Sequence, residues 1–356
     1  MKCIFVVTSM VQIIFLFCVS NAHSQSARGK ASEGIKLVCA WSIEGKSPAE
    51  VDSVVELAQQ LGFNAVSWNR ESLVASCHKR GMKAMALVNP LEAREGALLQ
   101  QLAPGEEDLP GSGRSGIPPE SFYQYGGEPV PGNREILDHN LACPDDPGIV
   151  AYTMERVAEL ERQGYDAVIF DFVGYRNYHS CECRFCREKL ASFRRAHPQL
   201  HQRQAAEAFY ENQLVELYDT LYVAAKALAP GMIIANHIHP VFLPNLWYGH
   251  KLRVDYCGVT VSWFFKPHWP LDKVREYARR VVQGHYRHDF AVGMPMIGFY
   301  ADTPYARDRK SARRLKQELA IIKEAGAGDL IMCELGHILR HKEASAAVRE
   351  ALAGIQ

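Results

Sequence analysis

The sequence carries no excess of either charge: 40 lysines and arginines stand against 40 aspartates and glutamates. Binding to a phosphate backbone draws on a basic face, so a chain balanced in this way is not expected to take nucleic acid as a partner. Long hydrophobic runs are absent after residue 19, which excludes a multi-span membrane protein. Also missing is a glycine-rich phosphate-binding turn after the first apolar run, so a doubly wound dinucleotide fold is disfavoured and no organic cofactor is expected. What is there, 47% hydrophobic and 22% charged residues, is the composition of a folded globular protein and not of a disordered or collagenous one.

Residues 1–22 depart from that average. Lys2 precedes an apolar run over 3–19, and Ser20, Asn21 and Ala22 follow in register for cleavage, so the segment reads as a secretory signal peptide. The competing reading is an uncleaved anchor, but Thr8, Ser9 and Gln12 break the run, and it is short for a spanning helix. Bulky Phe17 ahead of Cys18 argues against lipidation there. The mature chain is expected to be exported, periplasmic or extracellular, without a membrane span, and to begin with a polar leader over 23–34.

Beyond the leader, short apolar runs rich in β-branched residues alternate with longer segments of helical period, the pattern of a parallel sheet. Strands are predicted over 35–41, 65–68, 84–89, 167–172, 232–236, 256–263, 291–297 and 330–334. Amphipathic helices fill the gaps, including 48–61 with apolar Val51, Val54, Val55, Leu57 and Leu61, and 307–325. Glycines 62, 81, 164 and 326 end helices and lead directly into strands, which is C-cap chemistry. Eight such units predict an α/β fold, a single (β/α)8 barrel over 35–356. The Gly- and Pro-rich stretch 92–140 is too long for an ordinary connection. It follows strand three on the catalytic face and is either a substrate-covering insertion or a solvated loop without a role.

Of the ten cysteines, Cys3 and Cys18 leave with the signal peptide. Cys39, Cys257 and Cys333 fall in predicted strands and Cys77 in a helix, where a cysteine behaves as a small buried hydrophobe. Cys181, Cys183 and Cys186 are different: three thiols within six residues can converge on one tetrahedral ion, and Cys143 is the available fourth ligand. A closed set of four predicts a structural zinc. Disulfides compete in an exported protein, although a Cys-x-Cys pair is awkward to bridge internally.

The stretch Cys143-Pro144-Asp145-Asp146-Pro147, a helix, the strand Tyr165 to Phe172 with Asp171, then Cys181-x-Cys183-x-x-Cys186 with Phe193 downstream resembles barrel glycoside hydrolases. It is similar to family 42 beta-galactosidases, which carry a four-cysteine zinc cluster at this place, and to uncharacterised bacterial glycosyl-hydrolase-like barrels. The resemblance is close over about 50 residues and loose over the barrel order. It implies a carbohydrate substrate. Where the beta-galactosidases end strand four with an Asn-Glu pair, this chain has Asp171-Phe172, so beta-galactosidase activity is not implied.

In such a barrel the chemistry sits where strands end. Those positions hold Trp41, Trp68, Asn69, Asn89, Tyr175, Asn236, His237, His239, Trp263 and Tyr300, aromatic and amide groups suited to sugar faces and hydroxyls. Glycoside hydrolysis needs two carboxyl groups facing one bond. Asp171 is the first choice, because an unpaired carboxylate at the end of an apolar strand is costly without a purpose. Glu334 follows Leu330-Ile331-Met332-Cys333 in the same way, with Asp302 as its rival. A separation near about 5 Å would give retention and one of roughly 6.5 to 9.5 Å inversion. Three functions stay open: a two-carboxylate glycoside hydrolase, a non-catalytic carbohydrate-binding barrel, and a metal-dependent hydrolase using His237 and His239 with Asp171.

Overall fold

The computed structural model describes residues 37–41, 47–102, 141–171, 173–176, 180–238, 245, 247–262, 268–302 and 307–353. The strands in chain order are β1 (Leu37–Trp41), β2 (Ala65–Ser67), β3 (Lys83–Val88), β4 (Ala167–Phe170), β5 (Ile233–Ile238), β6 (Tyr256–Ser262), β7 (Val292–Gly298), β8 (Tyr300–Asp302), β9 (Arg307–Arg309) and β10 (Asp329–Cys333). All but β8 and β9 are parallel and form a closed barrel, β1 bonding to β2 on one side and β10 on the other. The expected barrel is present, each expected strand matching one of its staves with shifts of one or two residues at the ends.

The remaining strands, β8 and β9, form an antiparallel hairpin after β7. Residues 307–309, expected to open a helix, are part of it.

The helices are α1 (Pro48–Leu61), α2 (Glu71–His78), α3 (Ile149–Arg162), α4 (Arg184–Ala196), α5 (Gln202–Leu228), α6 (Leu271–Gln283), α7 (Ala312–Glu324), α8 (Leu335–Arg340) and α9 (Lys342–Leu352). Local sequence sets their limits. α1 starts at a capping box between Ser47 and Glu50 with Pro48 in the first turn, and stops at Gly62, whose φ of 99° suits a residue without a Cβ. It buries Val51, Val55, Ala58 and Leu61, but Leu57 is exposed, because residue 57 lies off the face that meets the barrel.

The period of two along each strand divides the core into two layers. Ala65, Met85, Ala167, Ile169, Ala235, Met294, Met296, Ile331 and Cys333 pack together inside the barrel. Val66, Ala84, Ala86, Val168, Phe170, Ile234, Cys257, Val259 and Ile297 face the helices. The inner layer is built of alanines and flexible methionines, which fit a narrow cylinder.

The predicted signal peptide, the leader and residues 103–140 of the insertion lie outside the described residues. The two described ends of the insertion meet through antiparallel bridges, Glu92 with Leu141 and Leu99 with Ala142. Among the described residues no helix is long and apolar enough to cross a membrane.

Candidate active site

Asp171 stands one residue past β4, its N–H still donating to Val88 O at 2.9 Å and so continuing the ladder. Ala167 and Ile169 point into the barrel, and the same alternation turns Asp171 inward at the mouth, where it is 6% exposed. Its Oδ1 lies 3.1 Å from His237 Nδ1, and the opposite ring nitrogen, Nε2, lies 2.9 Å from Thr260 Oγ1. All three side chains are buried.

Glu334 stands one residue past β10 and caps α8. Its side chain is one-third exposed, and Oε2 lies 3.8 Å from His337 Nε2, which in turn is 2.8 Å from Arg340 Nη2. In the ring of eight strands β4 and β10 are diametrically opposed. Inside the barrel, burial pushes the Cys333 thiol up, and the charge of its chain neighbour Glu334 adds to that rise.

Several expected contact residues sit elsewhere. Asn236 is fully buried on the outer face of β5, level with outward-facing Phe170 and Cys257. Its neighbour His237 takes the inner face, because the side chains of consecutive strand residues point to opposite sides. Trp68 packs against the outer layer by the same parity.

Asn69 is occupied by the backbone of β3: its carboxamide accepts from Leu87 N–H and donates to Leu87 O, each at 2.7 Å. It thus stands in for the strand pairing that β2 no longer supplies. Asn89 lies just beyond β3 and accepts from Leu91 N–H at 3.0 Å. Tyr175 is fully buried beside the cysteine cluster and not at the mouth, its hydroxyl 2.8 Å from Tyr210 O and 2.7 Å from Gln213 Oε1.

Trp41 pairs in register with Ser67 and Cys333, and Tyr300 and Asp302 belong to β8, but the placement of these three side chains is not described. His239 and Trp263 lie outside the described residues.

Two residues at the mouth went unnoticed in the sequence. Thr260 lies between two valines and looks like strand filler. Lys310 is fully buried, 2.6 Å from Ser262 Oγ and 2.9 Å from Glu318 Oε2, while Arg314 Nε bonds the other carboxylate oxygen at 2.6 Å. A register shift between Thr260 and Ser262 sets Ser262 level with outward Ile297 and hence beside Lys310.

The four cysteines converge as predicted. Cys143, Cys181, Cys183 and Cys186 are buried, with sulfur atoms all within 4.8 Å of one another. Cys143 Sγ is 3.4 Å from Cys186 Sγ and 3.7 Å from Cys183 Sγ. Zinc–sulfur bonds of about 2.3 Å in a tetrahedron place sulfurs about 3.8 Å apart, so the donor set fits that ion. The sulfurs are free thiols, far beyond the roughly 2.05 Å of a disulfide.

Backbone N–H groups of Asp145 and Cys186 point at Cys143 Sγ and Cys183 Sγ, at 3.4 and 3.5 Å. Hydrogen bonds from Cys143 and Cys186 hold the Cys181 thiol well down, while contacts with Cys181 and Cys186 push Cys143 up. The other described cysteines are inert by comparison: burial raises Cys77 and Cys257 to about 12.

No protein-family model and no curated protein matches the sequence. Solved structures do match in fold. The glycoside hydrolase domain of PgaB from Bordetella bronchiseptica superposes with a TM-score of 0.55 at 12% identity, over 89% of this chain and 99% of that one. The chain shares its barrel fold with glycoside hydrolases. Beta-galactosidases from Marinomonas ef1 (TM-score 0.57, 8% identity) and Bacillus circulans sp. alkalophilus (0.56, 10%) align with 89% and 91% of this chain. The aligned region spans 59% and 56% of those two enzymes.

Open hollows of about 580 and 820 Å³ on the flank are lined by α4 and α5 residues and by the segment ahead of α3, and neither includes Asp171 or Glu334. The site is therefore assigned from the strand ends and not from the depth of a hollow.

Proposed function

We propose that this protein is an exported glycoside hydrolase acting on an oligo- or polysaccharide, with Asp171 and Glu334 as its carboxylate pair. The observation that carries this reading is a buried acid, Asp171, turned into the barrel mouth past β4, with a second acid, Glu334, one residue past the opposed strand β10. Hydrolysis of a glycosidic bond asks for one group to protonate the departing oxygen and another to attack or to activate water. Asp302, on the hairpin after β7, is the reserve for either role.

The metal-dependent alternative has less to support it. His237 spends both ring nitrogens, one on Asp171 and one on Thr260, whereas a ligating imidazole needs a nitrogen lone pair directed at the ion.

The four-cysteine site suits a structural zinc held by Cys143, Cys181, Cys183 and Cys186, which would pin the loops after β3 and β4. Four sulfur ligands close the coordination shell and leave no position for substrate.

The test is turnover of a glycan panel by the parent protein and by Asp171→Asn and Glu334→Gln. A loss of about 10²-fold or more in each variant is expected. Unchanged turnover in both overturns the assignment, and binding without turnover by the parent identifies a carbohydrate-binding barrel instead.

A further inference from the structure

We infer that His237 is a positioning residue that holds the Asp171 carboxyl in one orientation at the barrel mouth. This rests on the glycoside hydrolase reading and adds to it a residue that acts through Asp171. A carboxylate accepts and an imidazole N–H donates, so the 3.1 Å contact has Nδ1–H donating to Asp171 Oδ1. A neutral imidazole with its proton on Nδ1 offers a lone pair at Nε2, and Thr260 Oγ1, 2.9 Å away, donates into it. Among the described residues the other acceptor for that hydroxyl is Met296 Sδ at 3.8 Å, a thioether and far weaker.

The chain of bonds runs one way, from Thr260 to His237 to Asp171. The ring is held in place, because its residue lies within β5, paired in register with β6, and is 3% exposed. Asp171 is thus aimed by a rigid neighbour, which is how an enzyme holds a reacting carboxylate in one geometry.

Two measurements decide the matter. Nitrogen-15 NMR of the histidine side chains, with the His237 signal identified by its loss in His237→Asn, is expected to show a protonated Nδ1 and an unprotonated Nε2. The reverse tautomer overturns the proposal whether or not a substrate is known. On a responsive glycan, His237→Gln is expected to lower kcat about 10²-fold with KM little changed. His237→Asn, whose amide can still reach Asp171, should stay within about tenfold of the parent.

If the tautomer is as expected but no glycan is turned over, the brace stands and the hydrolase reading fails.

Discussion

Cys143 Sγ lies 3.4 Å from Cys186 Sγ, although 43 residues separate them in the chain. The contact joins the segment ahead of α3 to the first turn of α4, two connections that leave neighbouring strands β3 and β4 on the same face of the barrel. Protein purified without chelator is therefore expected to carry one zinc per chain by elemental analysis. Cys183→Ser should lose the metal and lower Tm by about 10 °C in calorimetry. Acidification should release the ion, since thiolates must be deprotonated to bind it. Disulfides among these four residues in mass spectrometry would refute the site.

Tyr175 separates a supporting role from a substrate contact. Its hydroxyl meets Gln213, whose amide nitrogen is 3.5 Å from Cys186 Sγ. Tyr175→Phe is expected to speed zinc loss to a chelator and to cost about 1–2 kcal/mol in denaturant unfolding, with KM unchanged. A raised KM with normal zinc retention would return Tyr175 to the substrate.

Lys310 and Glu318 form a fully buried ion pair, and Arg314 also bonds Glu318. Removing one partner of such a pair leaves a charge without compensation, at a cost of about 3–5 kcal/mol. Glu318→Gln strands both cations, whereas Lys310→Met leaves Glu318 with Arg314. Urea unfolding should therefore rank Glu318→Gln as the more damaging change, and the reverse order would show that Arg314 does not share the load.

Asp52 supplies a pH signature. The Arg80 guanidinium, bonded to its carboxylate with one contact at 2.9 Å, holds its pKa well below the usual carboxylate range. A folded-state value below the unfolded one gives stability that is fully present above the unfolded value and is lost as pH falls from there through the folded value. Asp52→Asn should lower Tm at pH 7, and the gap from the parent should hold down to a pH of about 4 and close below it. Equal Tm for the two proteins at pH 7 would show that the ion pair adds nothing.

The barrel was legible because each strand and helix advertises itself locally, through β-branched runs, capping residues such as Ser47, and glycines such as Gly62. The convergence of the four cysteines was legible for a related reason: thiols at ligand spacing are costly without a use. Side-chain direction was harder to read. Asn236 and Trp68 lie at strand ends but on the wrong face, and a strand boundary uncertain by one residue reverses the side every following residue takes.

At Ser262 a register shift adds to the difficulty, since its facing cannot be counted from the start of the strand. Asn69 and Tyr175 were misread because their polar atoms are taken up by distant partners, Leu87 and Gln213, that no local pattern announces. Thr260 and Lys310 escaped notice because their significance comes wholly from tertiary neighbours.

The sulfur clamp between the β3 and β4 connections also limits where the rim can change. Two connections tied at one point cannot be lengthened or swapped independently without releasing the knot. Changes that the rim tolerates should therefore accumulate around the exits of β7 and β10, across the mouth from the knot.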